Sequence, residues 1–263
     1  MESINVFNSI RYRITPSRNN SGCDAVAGVT PKVTFWHDPF YLGIEEPTPA
    51  LQCLPDWLKS MPSLAKTKDY EFQQKLSPTI KRCPGIIDFY KYAYIVKLWT
   101  DTIIHIKEDR EWTFSQALEP GPTNAIWEGF DENQCDKYIP SVEKTLKLCT
   151  PWHVLTPKGY SMLQLPLWWE FNKDWDASAG VWDTDISPII NINIIFKNLG
   201  IYRLAAGTPL VMLIPFKREN FEFSVIERTD SLHNIEKLWY KYVSRTWGIS
   251  RGFRNMYRRL QEK

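Results

Sequence analysis

No two of the five cysteines, Cys23, Cys53, Cys83, Cys135 and Cys149, form a CxxC pair, and their number is odd. A disulfide framework needs even numbers of well-spaced partners, so these residues point to reduced thiols in a cytosolic compartment. Histidine is scarce too: His37, His105, His153 and His233 stand alone, with neither HxH nor HExxH spacing. The usual zinc patterns are therefore excluded, and no metal is expected. Neither a GxGxxG turn nor a P-loop is present, so no motif calls for a cofactor, and none is expected. No run reaches the ~18 apolar residues of a membrane span. The N-terminal MESINVFNSIRYRITPS lacks the apolar centre of a secretion signal, so a membrane role is not expected. Net charge is almost missing, at +2. A dedicated nucleic-acid binder is usually more basic, although a local patch can sit inside a balanced total.

Aromatic side chains, by contrast, are plentiful: 12 Trp, 12 Tyr and 13 Phe within a 43% hydrophobic chain. That is ample material for a packed core, and the ordinary charged fraction of 24% argues for a folded chain. Residues 1–30 mix a short apolar segment with the turn-rich SRNNSG, and Val33–Trp36 read as a strand. Residues 44–65 are punctuated by Pro47, Pro49, Pro55 and Pro62. One short helix fits there, from Pro55 to Ser60, and the rest reads as an arm running over a surface. A tight turn or one-turn helix is expected at Pro84–Tyr90, and strands at Ala93–Leu98, Thr102–Lys107 and Glu111–Ser115, with Asp109-Arg110 as a turn. In the second of these strands Ile103 and His105 alternate with Ile104 and Ile106, which predicts cover on both faces. Residues 117–150 read as polar loop with one short helix at Ser141–Leu148, capped by Ser141 and with Glu143 in its first turn.

Strand signals are clearer in the C-terminal half. Trp152–Leu155, Tyr160–Leu165, Ile189–Phe196, Ile201–Leu204 and Pro209–Pro215 are short apolar or alternating runs between Gly, Pro, Asn and Asp. That rhythm suggests a sandwich or barrel. Ser231–Trp247 then takes up helical periodicity through Leu232, Ile235, Leu238, Trp239 and Tyr242. The expectation is one mainly β domain over residues 1–263: an irregular arm (1–65), a β core (66–230) and a helical basic tail (231–263).

Several groups of residues could carry chemistry. Lys81 and Arg82, before Cys83 and Pro84, make an anion candidate or a setting for an activated thiolate, against a structural cysteine beside a surface charge pair. Trp168, Trp169, Trp175 and Trp182 could stack a base or sugar, or serve as core or subunit interface. From Lys237 to Lys263 there are eight Lys or Arg and one acid, Glu262. Arg251, Arg254, Tyr257, Arg258 and Arg259 form a basic aromatic stripe suited to phosphates or to an acidic partner surface, or else a solvated helix face.

Three segments in order resemble motifs of the dUTPase and dCTP-deaminase superfamily: Thr156-Pro157-Lys158-Gly159-Tyr160, its turn into a strand; Gly180-Val181-Trp182-Asp183-Thr184-Asp185, its acidic hairpin; and Ala206-Gly207-Thr208-Pro209-Leu210-Val211, its following strand. The resemblance implies a β-clip core. It also implies a ligand pocket of Lys158, Gly159, Tyr160, Gly180, Asp183 and Asp185, in which the two aspartates would be the catalytic pair of a nucleotide hydrolase. Read from the residues alone, Asp183-Thr184-Asp185 is a β-turn stabilising its own backbone. The family's arginine and serine after the first turn are replaced by Met162-Leu163-Gln164, and its glycine-rich C-terminal lid is missing. Without those groups, charge developing on a transferring phosphoryl group has no stabiliser.

A wider pattern resembles a family of tailed-phage proteins: Pro49 to Trp57, then Ile80 to Pro84, then Thr156 to Ser161, then Gly207 to Arg218. It implies a phage source, with host cytoplasm or virion as location. Together these readings lead to a non-catalytic structural or assembly protein, homo-oligomeric and bound to other phage proteins. Nucleic acid contact would run through the basic tail, and a dUTPase-like enzyme is the alternative.

Overall fold

A computed structural model describes residues 31–68, 74–131, 133–139, 142–168, 170 and 174–242. The chain divides into Met1–Pro31 and Lys32–Lys263, and every element named here belongs to the second unit. In chain order these are β1 (Thr34–Trp36), β2 (Thr48–Pro49), α1 (Asp56–Ser60), β3 (Leu64–Lys68), β4 (Gln74–Pro78), α2 (Pro84–Lys91), β5 (Tyr94–Lys97), β6 (Thr102–Ile106), β7 (Trp112–Gln116), β8 (Trp127–Gly129), β9 (Lys144–Leu155), β10 (Tyr160–Leu165), β11 (Trp175–Ala177), β12 (Gly180–Trp182), β13 (Ile189–Phe196), β14 (Gly200–Leu204), β15 (Pro209–Lys217) and α3 (Asp230–Tyr242). The protein is mainly β, as its short alternating runs predict, and a helix follows the last strand.

The strands pair antiparallel. One sheet runs β1-β9-β13-β11, with β8 also on β9. A second runs β12-β10-β15-β5-β2, a third β14-β6-β7, and β3-β4 form a hairpin. Ile190, Ile192, Ile194 and Phe196 on β13 are fully buried because their neighbours in sequence point to the other face. They pack with Leu146, Leu148 and Val154 of β9 and with Val96, Val211 and Leu213 of the second sheet to form the main core.

The second sheet is covered on both faces. Val211 and Leu213 enter the main core, whereas Met212 and Ile95 point the opposite way, into a smaller core with Ala50, Leu58, Ile86, Tyr90 and Ala93. That corrects the reading of the proline-rich segment as a surface arm. Ala50 and Leu58 are 0% and 1% exposed, the Ala50 amide donates to the Ala93 carbonyl at 2.9 Å, and Thr48 pairs with Ile95. Proline fits here because an edge segment has no ladder N–H to lose. The helix predicted at Pro55–Ser60 is present, with Pro55 as its N-cap; at Pro84 the expected tight turn or single helical turn is instead the eight-residue α2, more than two turns long.

Two further expectations are overturned. The helix read at Ser141–Leu148 does not form: from Lys144 this stretch is the first half of the twelve-residue β9, and Ser141 lies outside the described residues. Leu146 and Leu148 are buried with Lys147 between them, a period of two that tertiary pairing selects over local helical preference. The register of β9 on β13 shifts around Pro151, where Ile189 faces His153 but Asn191 faces Cys149. Such an irregularity suits a residue without an N–H. Strand β6 is covered on one face only: Ile104 and Ile106 are buried, while Ile103 is 40% exposed.

Candidate functional site

The acidic hairpin sits where three adjacent strands end together. β10 lies between β12 and β15, with Met162 opposite Trp182 on one side and Tyr160 opposite Lys217 on the other. The turn into β10 needs Gly159, whose φ is +83°, a left-handed conformation that a side chain opposes. After β12 the chain closes a tight turn in which the Ile186 and Ser187 amides both donate to the Asp183 carbonyl at 2.9 Å. Thr184 is fully buried. Its hydroxyl lies 2.8 Å from that of Thr156, which donates to the Tyr160 carbonyl at 2.9 Å. A hydroxyl has one hydrogen, so Thr184 is the donor to Thr156.

Thr184 thus plugs inward, and Asp183 and Asp185 are held on either side of it. Between them lies Arg218, the residue after β15. Its Nη1 and Nη2 reach the two Asp185 carboxylate oxygens at 2.8 and 2.5 Å. Nη1 also lies 2.9 Å from Asp183 Oδ1 and donates to Ser161 Oγ at 2.8 Å. Ser161 in turn donates to Asp183 at 2.6 Å, and the Gly159 amide donates to Asp185 at 2.8 Å. Arg218 itself is positioned by its amide, which donates to the Gly159 carbonyl at 2.8 Å. The Asp185 side chain is 5% exposed, that of Asp183 51% and that of Arg218 32%.

The electrostatics follow from these contacts. The Ser161 hydroxyl, and then Arg218, hold the Asp183 carboxyl below its usual range; Arg218, and then the Gly159 amide, do the same for Asp185. The guanidinium is correspondingly raised above its usual value. A carboxylate whose lone pairs are taken and whose pKa is lowered is a poor general base. One guanidinium against two carboxylates leaves the cluster with a surplus negative charge. It therefore offers no stabilisation to the oxygens of a transferring phosphoryl group. What it does offer is a bidentate clasp across three strands, fastening the chain as it leaves β15.

The other sequence candidates fall in different places. Lys158 is exposed beside the clasp and makes no polar contact among the described residues. Tyr160 and Gly180 belong to the strands β10 and β12 that position it. Lys81 is not free for an anion: its ammonium donates to the Lys59 and Met61 carbonyls at 2.7 and 3.0 Å, satisfying the end of α1. Arg82 is exposed, and Cys83 is the N-cap residue of α2. The tryptophans do not form one stacking platform. Trp175 is buried, Trp182 is half-buried and donates to Gln164 at 3.0 Å, and Trp168 is 65% exposed; Trp169 lies outside the described residues. So do Arg251, Arg254, Tyr257, Arg258 and Arg259. Among the described residues no three His, Cys, Asp or Glu side chains gather to hold a metal ion, and no helix is long and apolar enough to cross a membrane.

Sequence reasoning missed Ser161 and Arg218. The expected absence of a cation near the acidic hairpin is corrected: a cation does arrive there, from the strand on the far side of β10 rather than from the residues that follow the Gly159 turn. Only the pairing of β10 with β15 brings Arg218, 33 residues beyond Asp185, to this place.

No protein-family model matches the chain, and no curated protein matches it. Among solved structures it is similar to phage dUTPases. A variant of the phage 80alpha dUTPase is 16% identical over 35% of this chain and 77% of its own, with a TM-score of 0.26. Another variant, titled as from Staphylococcus bacteriophage 80alpha, is 15% identical over 53% and 85%, at 0.30. A variant dUTPase of phage phi11 of S. aureus is 16% identical over 34% and 80%, at 0.24. Scores of this size leave the chemistry to be read from the residues themselves.

Proposed function

We propose that this chain is a non-catalytic phage protein of the structural or assembly class, which acts by binding other protein chains. The observation that supports this reading is the Arg218 clasp. The two aspartates that would serve a nucleotide hydrolase are engaged with the protein's own arginine, and their depressed pKa values suit an ion pair better than proton abstraction. Its partners are further copies of itself and other phage proteins, in the host cytoplasm or the particle. The basic tail around Arg251 to Arg259 is a second contact element, suited to nucleic acid or an acidic surface.

Thermal denaturation with added dUTP, dCTP or their diphosphates separates this from the dUTPase-like alternative. A ligand that binds only the folded chain raises its melting temperature. The expected result is no rise. A rise that disappears in Asp183→Ala would replace the present reading with nucleotide binding. Mass spectrometry of purified particles is expected to find the chain, and its absence from particles and from every assembly intermediate would count against the structural role.

A further inference from the structure

Beyond the clasp the chain runs from Glu219 to Thr229 without regular structure, and in this stretch it exposes large apolar side chains. Phe221 is 85% exposed, Phe223 91%, Val225 83% and Ile226 67%. Scattered exposed apolar residues are ordinary, but four within six positions are a patch that needs cover. Phe221, Phe223 and Val225 alternate with Glu222 and Ser224, the period of a strand. Yet among the described residues no backbone hydrogen bond is made by residues 219–228. The root of this segment is held firmly by Arg218, so the arm is presented from a fixed point. Glu219, Glu222 and Glu227 make it acidic, and no Lys or Arg lies between them.

The same chain carries an open strand edge whose charge complements the arm. Among the described residues β14 is hydrogen-bonded on one side only, to β6. Arg203 is exposed and has no acidic partner among the described residues. The opposite edge of that sheet, β7, turns Thr113 and Ser115 outward and offers no cation. An open strand edge is a template for pairing with another chain.

We propose that residues 219–226 add as a strand to the β14 edge of a second copy of this chain. Phe221, Phe223 and Val225 would then continue the inward face of Tyr202 and Leu204, and Glu222 would lie on the outer face with Arg203. In the folded monomer arm and edge are both present and are not paired with each other, which makes a second copy the fitting occupant. The inference rests on the proposed contact role and names its partner and surface.

The test is the self-association of the full chain at micromolar concentration, followed by sedimentation or light scattering. Wild type is expected to associate. Phe221→Ser with Phe223→Ser, and separately Arg203→Glu, are each expected to weaken association by roughly tenfold or more, with melting temperatures kept because these side chains are exposed. Combining Arg203→Glu with Glu222→Arg is expected to restore it, which a merely destabilising change could not do. A monomeric wild type, or association indifferent to these variants, would overturn the arm-to-edge pairing. The contact role could then still stand on other surfaces, whereas nucleotide binding in the thermal assay would remove the role itself.

Discussion

Lys144 and Asp136 form an ion pair inside the protein, with the ammonium 3.1 Å from Asp136 Oδ2 and side chains 6% and 0% exposed. The other Asp136 oxygen accepts the Thr145 amide at 2.9 Å, and Lys144 also donates to the Phe130 carbonyl at 2.9 Å. One short segment before β9 is thereby stitched to the start of that strand.

Removing one partner leaves the other charge buried and unpaired. Asp136→Ala is expected to cost about 3–5 kcal/mol, measured by urea unfolding. Replacing both residues with apolar ones of similar volume is expected to cost much less, because the desolvation penalty disappears with the charges.

The Arg218 clasp predicts a dependence on acid. Asp183 and Asp185 titrate below their ordinary value of 3.8 in the folded protein. Their contribution to stability is therefore fully present above 3.8 and is lost as the pH falls through the lowered folded values. Arg218→Ala is expected to lower the melting temperature at neutral pH and to flatten its decline below 3.8. Arg218→Lys is expected to rescue this only in part, because an ammonium cannot grip a carboxylate bidentately. Melting curves across acidic pH read both effects; an unchanged acid profile in Arg218→Ala would show that the clasp contributes nothing.

His153 predicts a second, milder dependence. Its ring stacks on Trp36 at 4.0 Å between centroids, and burial pushes its pKa below 6.5. The neutral form is favoured on folding, so stability is retained above 6.5 and declines as the pH falls through the lowered value. His153→Phe, which keeps the stack without the charge, is expected to abolish that part of the decline in melting temperature.

Gly121 tests the packing over the main core. Its φ is +64°, and an added Cβ would lie 2.5 Å from a Phe40 ring carbon and 2.7 Å from the Tyr41 hydroxyl. Tyr41 is fully buried and donates to the Pro120 carbonyl. Gly121→Ala is expected to destabilise by about 1–3 kcal/mol through overpacking, with backbone strain in addition, as read by chemical denaturation.

Much of the strand inventory is legible from local pattern. Tyr160–Leu165 and Ile189–Phe196 have the predicted bounds because alternation and flanking turn residues are encoded within a few positions. Local pattern is ambiguous at Lys144–Leu148, whose side chains fit either period, and only β13 and β8 on its flanks decide for the strand. The proline-rich segment is ambiguous for a related reason. Its few apolar residues gain importance only once Met212 and Ile95 turn a second buried face toward them.

By itself the amino-acid sequence determined a mainly β chain with a helix after its last strand and two aspartates on a tight turn, since hydrophobic period and turn chemistry act over neighbouring residues. Tertiary structure alone decided what those aspartates face. Ion pairing is a matter of distance in space, and strand order carries Arg218 across β10 to Asp185. Among the described residues the same order leaves β14 with a bare edge and the segment after Arg218 without cover, because hydrogen bonds and burial are settled only when every strand has its neighbours.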